Sequence, residues 1–264
     1  VLATNKIYIC DVFRFLESLQ DNSIDLAIID PPYNLNVDKS SNAWDTFKTQ
    51  KDFLDFSFAW IDKMLPKLKK TGSFYIFNTP FNAALFLNHL QDKAVFQNWI
   101  TWYKKDGFAA SKRRFNNNQE SILFYTMCEK GYYFDFDSIR VPYASTSRIN
   151  HATKKGILKN GKRWYPNEKG KLCPDVWEIP SERHARKING KIQKLNHPTI
   201  KPKAMIERMI LASSKKGDLV LDLFSGSGTT SLVSHNLGRN FIGCEKHKQY
   251  LHSCLEISSL DSIC

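Results

Sequence analysis

The 264-residue chain carries 38 Lys+Arg against 26 Asp+Glu, a formal net charge of +12 with a pI near 9.3. An apolar content of 42% and a charged content of 24% are those of an ordinary globular protein with one sizeable core, and they exclude a chain that stays disordered. The basic excess points to a polyanionic partner, nucleic acid most simply, with a solubilising surface as the alternative.

No stretch approaches the ~18 consecutive apolar residues of a membrane span. The first residues show no charged segment followed by an apolar core, so no secretory signal is expected. The six cysteines are scattered, with no C-x-x-C pair and no Cys/His cluster. We expect reduced thiols, no metal, no membrane and a cytoplasmic location.

In chain order, KIYIC predicts a short strand, followed by a helix with Phe13, Leu16 and Leu19 apolar, a turn at Asp21-Asn22 and a buried strand ending at Asp30. KDFLDFSFAWIDKMLPKLKKTG has helical spacing in Phe53, Phe56, Trp60 and Met64, with Pro66 near its end and Gly72 as the expected stop. SFYIFN predicts a strand, NAALFLNHLQDK a helix, and FQNWITWYKK and SILFYTM further strands. Such alternation predicts an α/β fold, a mostly parallel sheet with helices on both faces.

The character changes between Ser147 and Leu195, where 13 Lys+Arg face 4 Asp+Glu. Periodicity is weak there, yet Trp164, Tyr165 and Trp177 stand among the charges, which is unlike a disordered tail. We expect a basic, loop-rich insertion that touches a partner. Beyond it, HPTIKPKAMIERMILASSKKG predicts a helix with Met205, Met209 and Ile210 on one face. DLVLDLFSGSGTTSLVSHNLGRNFIGCEK then predicts strand, glycine loop, helix and strand.

Two motifs carry chemistry. In LVLDLFSGSGTT an apolar strand runs into Gly226-x-Gly228, where the backbone can approach a ligand and a helix N-terminus offers free N–H groups. A plain strand-to-helix turn explains such a loop equally well. Asp222 at the strand end, however, suits a ligand with an amino group better than a pyrophosphate. Glu245, 17 residues after Gly228 at the next strand end, is placed to accept from ribose hydroxyls.

The second motif is Asp30-Pro31-Pro32-Tyr33, at the end of a predicted strand. A carboxylate and a proline carbonyl that accept both N–H bonds of a nucleobase amino group would localise its lone pair on nitrogen. An aromatic ring beside them could stack on a base drawn out of its duplex. The alternative is a strand-ending turn with a solvent-facing acid.

Together these motifs resemble the S-adenosylmethionine-dependent amino-methyltransferases of DNA. The Asp-Pro-Pro-Tyr motif precedes the glycine loop by about 190 residues with a basic segment between, the order of the β group. CDVFRFLESLQDNSIDLAIIDPPYN, SNAWD, RRFNNNQESILFY, PDVWEIP and HPTIKP resemble its successive blocks, so that the likeness covers nearly the whole chain. It implies a Rossmann-like methyltransferase sheet in one domain. Residues 1–146 would be the catalytic part, 147–195 the target-recognition insertion and 196–264 the cofactor-binding part.

The resemblance further implies that Asp30 and the Pro31 carbonyl, beside Pro32, hold the target amino group and that Tyr33 stacks on the base. Asp222, Phe224, Ser225, Gly226, Gly228 and Thr229 would surround the methionine part of the cofactor. Glu245 would bind its ribose, with Lys246 nearby, and Asp11 would contact its adenine. His197, Thr199 and Lys201 of HPTIKP would close the site. For Asp11 and Lys201 this assignment rests on the resemblance alone.

None of the six cysteines follows a proline, which argues against ring-carbon methylation of cytosine. Adenine N6 and cytosine N4 offer Asp30 similar hydrogen bonds, and it is the resemblance that favours adenine. Duplex DNA is the implied partner, with Arg148, Lys162, Arg163, Arg183, Arg186 and Lys187 of the insertion as candidate contacts. Arg113 and Arg114 of SKRRFNNNQ form a second basic loop. A bacterial restriction–modification enzyme is implied, with a homodimer and a separately acting endonuclease as further expectations. The competing readings are a methyltransferase of RNA or protein amides, a DNA-binding module without catalysis, and a nicotinamide oxidoreductase. The last leaves the Asp-Pro-Pro-Tyr motif without a role.

Overall fold

A computed structural model describes residues 2–35, 45–105, 112–181 and 200–251, and the backbone of 185–188, 191–194 and 260–261. The first half comprises β1 (Lys6–Ile9), α1 (Val12–Ser18), β2 (Ile24–Ile29), α2 (Gln50–Met64), β3 (Leu68–Asn78), α3 (Pro80–Leu90), β4 (Val95–Tyr103) and β5 (Gln119–Thr126). The basic segment holds α4 (Thr146–Lys155), β6 (Ile157–Lys159), β7 (Lys162–Trp164), β8 (Val176–Glu178), β9 (Ala185–Ile188) and β10 (Lys191–Lys194). The last part adds α5 (Lys203–Ser213), β11 (Leu219–Asp222), α6 (Thr229–Asn236), β12 (Asn240–Glu245) and β13 (Leu260–Asp261).

Nine strands form one sheet in the order β13-β1-β12-β11-β2-β3-β5-β4-β8. Its pairings are parallel except those of β5, which runs antiparallel to both β3 and β4. Period-2 alternation divides the side chains between two cores. Ala27 and Ile29 of β2 face α1, α2 and α3, where Phe15, Phe53, Trp60 and Phe86 are buried. Leu26 and Ile28 face the opposite way, against Met205, Ile206, Met209 and Ile210 of α5. The expected α/β sheet with helices on both faces is what the chain builds.

Local chemistry sets the helix starts. Thr49 and Asp52 form a reciprocal capping box at the start of α2. Thr79 caps α3, with Pro80 in its first turn.

Two local expectations change. Gly72 does not stop a helix. Pro66 sits in a short 3-10 turn after α2, and β3 has already begun at Leu68. The register between β2 and β3 shifts here, and a Cβ at Gly72 would lie 2.9 Å from the Lys69 carbonyl oxygen and 3.2 Å from that of Ile24. Glycine is therefore set by close approach of backbone at a bulge. Trp177 is not a partner-facing aromatic either: β8 pairs with β4, and Trp177 is buried in the second core with its indole N–H on the Pro174 carbonyl at 2.8 Å. Weak periodicity concealed it because a three-residue strand is too short to show a period. Trp164 and Tyr165 are exposed as expected.

Among the described residues, no helix is long and apolar enough to cross a membrane. The same residues contain no group of three or more His, Cys, Asp or Glu arranged to hold a metal ion. Cys10, Cys128, Cys173 and Cys244 are free thiols.

Candidate active site

Parallel pairing brings four acids to one edge of the sheet. Asp11 follows the end of β1, Glu245 ends β12, Asp222 ends β11 and Asp30 follows β2, and these four strands are neighbours in that order. In an open α/β sheet this carboxyl edge is where ligands bind. A cavity of about 870 Å³ opens over it, lined by all four acids and by Pro31, Pro32, Tyr33, Lys201 and Phe224. Ser225, Gly226, Thr229 and Lys246 line it as well.

Gly228 turns the chain instead of lining the cavity. It caps α6 in the left-handed region at φ 78°, and its N–H donates to the Ser225 carbonyl at 2.6 Å. Gly226 also has positive φ, at 49°, and its N–H donates to Glu245 Oε2 at 2.8 Å. A Cβ on Gly243 would lie 2.5 Å from Ser225 Oγ, so a bare β12 backbone seats the loop. Asp11 caps α1 through the Phe13 N–H at 2.9 Å and lies at the cavity wall.

Burial raises the pKa of Asp222 to about 7, against the opposing hydrogen bonds of the Phe224 N–H and the Thr230 side chain. Nearby Asp30 and Glu245 raise it further. Glu245 is likewise raised by burial, although its Oε1 accepts from the His247 N–H at 2.8 Å. Several carboxyls that oppose one another's ionisation make a site for a cation with amino and hydroxyl groups, and an unfavourable one for a pyrophosphate. This donor set fits S-adenosylmethionine.

The second half of the cavity is a polar cluster centred on Asp30. Lys201 Nζ donates to Asp30 Oδ2 at 2.7 Å and lies 3.5 Å from Glu120 Oε2. The Tyr33 hydroxyl stands between Asp30 Oδ1 at 2.9 Å and Glu120 Oε2 at 3.0 Å, and Lys104 pairs with Glu120 Oε1. Burial disfavours an ionised Glu120, but Lys201 and Lys104 together outweigh it and hold the acid below its usual range. Burial raises Asp30, opposed by Lys201. It also opposes the charge of Lys201, yet Asp30 and Glu120 keep that ammonium protonated. Lys201 lies 5.2 Å over the Tyr33 ring and so occupies one of its faces.

Asp45 shapes the loop that carries Tyr33. Only 1% exposed, it accepts the N–H groups of Tyr33 at 2.6 Å, Asn34 at 2.7 Å and Leu35 at 2.9 Å. Asn34 has φ 60°, so the loop turns through the left-handed region beneath the carboxylate. Asn82 Nδ2 holds the Tyr33 carbonyl at 2.9 Å. Neither Glu120 nor Asp45 was singled out as a site residue in the sequence, although both lie in the RRFNNNQESILFY and SNAWD blocks.

Arg113, Arg114, Arg148, Lys162 and Arg163 are exposed. The Arg163 guanidinium donates to the Lys155 carbonyl, tying the β6–β7 hairpin to α4. Arg186 and Lys187 fall on β9, where only backbone is described. Arg183, His197 and Thr199 lie outside the described residues.

A family model for DNA methylases of the N6/N4 class matches residues 24–256. The chain belongs to this family. The methylase is 53% identical to the type II methyltransferase M1.MboII of Moraxella bovis, over 96% of this chain and 95% of that protein. It is 32% identical to the DNA adenine methyltransferase YhdJ of Escherichia coli (strain K12), over 91% of this chain and 78% of that one. Among solved structures, a complex of M1.HpyAVI with S-adenosylmethionine superposes with a TM-score of 0.63 at 24% identity, covering 96% of this chain and 99% of that one. The cytosine-N4-specific PvuII DNA methyltransferase superposes at 0.68 with 18% identity, covering 97% and 89%. These two likenesses show the fold, which an N4 enzyme shares. The methylase is thus an S-adenosylmethionine-dependent DNA methyltransferase with a Rossmann-like sheet.

Proposed function

We propose that the methylase transfers a methyl group to the N6 amino group of adenine in duplex DNA, at a specific site, after drawing the base out of the helix. The observation that carries this reading is the acidic cavity in which Asp30 lies between the cluster of Tyr33, Glu120 and Lys201 and the Asp222 and Glu245 side. When bound, S-adenosylmethionine supplies a methyl group activated on a sulfonium sulfur. Asp222, Phe224, Ser225, Gly226 and Thr229 would hold its methionine part, Glu245 its ribose with Lys246 nearby, and Asp11 its adenine.

Asp30 would accept one N–H of the target amino group and the Pro31 carbonyl the other, aiming the nitrogen lone pair. In the structure both Asp30 oxygens already take a donor. We read Glu120 as the acceptor that lets Tyr33 yield: as the amino group approaches Oδ1, the shared hydroxyl hydrogen moves wholly to Glu120. The base would then stack on the Tyr33 face that Lys201 does not cover. Lys201 stays on Asp30 and favours its ionised form. The nitrogen loses one proton as it gains the methyl group, and ionised Asp30 is in place to receive it.

Transfer of labelled methyl from S-adenosylmethionine to mixed-sequence duplex DNA, with chromatography of the released nucleosides and mapping of the modified site, tests the reading. Label in N6-methyldeoxyadenosine is the expected result. Label in N4-methylcytosine would overturn the choice of base, and label confined to RNA or protein acceptors would overturn the substrate. The sequence likeness to a DNA adenine methyltransferase supports adenine. We read the enzyme as the protective half of a bacterial restriction–modification system, with an endonuclease acting separately. Homodimer formation belongs to the same reading and is tested by sedimentation.

With its pKa at about 7, Asp222 ionises across neutral pH. A cationic ligand favours the ionised carboxylate, so binding releases part of a proton and tightens as pH rises through 7. Between pH 6 and 7.5 one such group changes affinity by roughly 8-fold at most. Calorimetry of S-adenosylmethionine with wild type and Asp222→Asn should show the steeper rise in wild type. Parallel pH profiles would mean that Asp222 does not face the ligand's charge.

For the insertion, Arg148→Ala combined with Lys162→Ala should weaken DNA binding and reduce the salt slope by about 0.9 for each phosphate no longer neutralised. Titrations of a duplex between 50 and 200 mM salt check this. An unchanged slope would place the DNA surface elsewhere.

A further inference from the structure

We propose that Phe115 is the wedge that enters the duplex beside the target base and fills the gap left when that base is extruded. This rests on the base-extrusion reading above. Phe115 is 97% exposed, the highest value among the exposed large apolar side chains of the described residues. Folding alone gives no reason to hold a phenyl ring in water just ahead of β5, because apolar surface gains from leaving water.

Its setting names the partner. Lys112, Arg113 and Arg114 precede it, Asn116, Asn117 and Asn118 follow, and no acid occurs from Gly107 to Gln119. Such a stretch complements a phosphate backbone, and its amides can bond to sugar or base edges. Tyr165, an exposed aromatic of the basic insertion, is engaged differently. A Cβ on Gly156 would lie 3.1 Å from Tyr165 Cζ and 3.0 Å from Arg163 Cγ, so these side chains pack over the α4 terminus.

The loop also stands on the target cluster. Its two ends meet where Tyr103 of β4 pairs with Gln119 of β5, and the Lys104 N–H donates to the Asn118 carbonyl at 2.7 Å. The neighbouring Lys104 ammonium and Glu120 carboxylate belong to the group that holds the Tyr33 hydroxyl. Phe115 is three residues from Asn118, so its Cα lies within about 11 Å of that anchor. Glu120 of β5 thus presents a carboxylate to the target pocket, and five positions earlier the segment leading into the strand holds an apolar ring in solvent. Extrusion leaves two base faces unstacked, and a flat apolar side chain in the gap replaces that stacking and opposes return of the base.

The test uses the full chain and a duplex bearing the mapped site, with 2-aminopurine in place of the target adenine for fluorescence. A second pair of duplexes carries adenine, either normally paired or mismatched. Wild type should brighten 2-aminopurine, and Phe115→Ala should lose most of that gain while Phe115→Trp retains it. On the paired duplex, Phe115→Ala should turn over roughly 10-fold more slowly, a loss of about one decade in the extrusion equilibrium. On the mismatched duplex, where the base is already loosely held, it should recover to within about 3-fold of wild type. Equal losses on both duplexes would make Phe115 an ordinary contact and overturn the wedge, as would wild-type behaviour on both. If wild type methylates the mapped adenine without brightening 2-aminopurine, it is the base-extrusion reading that fails.

Discussion

Asp30→Asn is expected to abolish methyl transfer, by roughly 10³-fold or more, while DNA binding and its salt dependence stay close to wild type. Asp30 presents two acceptor oxygens, one to the Lys201 ammonium at 2.7 Å and one to the Tyr33 hydroxyl at 2.9 Å. Asparagine keeps the shape but turns one acceptor into a donor. If its NH₂ faces Lys201, two donors meet. If it faces the cavity, the target amino group loses its acceptor. In the second orientation the lone pair is no longer aimed, and in both no carboxylate receives the proton.

Asparagine is the informative substitution because alanine also strands Lys201. The Lys201 side chain is 8% exposed, and with Asp30 gone the carboxylate left near its ammonium is Glu120 at 3.5 Å. Removing one partner of a buried pair costs about 3–5 kcal/mol, so Asp30→Ala confounds catalysis with stability. Single-turnover rates under saturating S-adenosylmethionine, beside duplex titrations, separate the effects. A variant with near-wild-type turnover would remove Asp30 from the mechanism.

The parts of this site visible in the sequence are those that sit at strand ends within one motif. Asp-Pro-Pro-Tyr follows an apolar run and Gly-x-Gly follows another, so local pattern places both at the carboxyl edge. Glu120 is different. It is the second residue of β5, and it reaches Tyr33 across 87 positions because β5 inserts antiparallel between β3 and β4. Nothing in SILFYTM distinguishes an antiparallel strand from the parallel strands around it, since both show the same apolar run. A parallel β5 would carry Glu120 to the opposite edge. Lys201 was placed by family likeness, and what the chain pattern could not show is that two carboxylates neutralise it. Gly72 and Trp177 depart from the local pattern for a related reason: a bulge and a three-residue strand are settled by neighbours distant in sequence.

Asp45→Ala is expected to cost the most among changes that leave every proposed catalytic side chain in place. One buried carboxylate gathers three successive N–H groups, from Tyr33, Asn34 and Leu35, at 2.6 to 2.9 Å. Each donor left unpaired away from water costs about 1–3 kcal/mol, less where the loop can open to solvent. The chain will therefore relax, and relaxation means releasing Asn34 from its positive φ and moving Tyr33. Asn82 still holds the Tyr33 carbonyl and Lys201 still covers one ring face, so the tyrosine will be displaced more than lost. A displacement of about 1 Å at a positioned group is enough to cost 10²-fold in rate. We expect that loss in turnover, with a lower melting temperature and little change in the salt slope of DNA binding. Asp45→Asn keeps one carbonyl oxygen and should recover part of both. Thermal melts beside single-turnover assays check the pairing: full activity in Asp45→Ala would show that the loop holds Tyr33 without its carboxylate. Loss of stability with normal turnover in the folded fraction would make Asp45 a purely structural anchor.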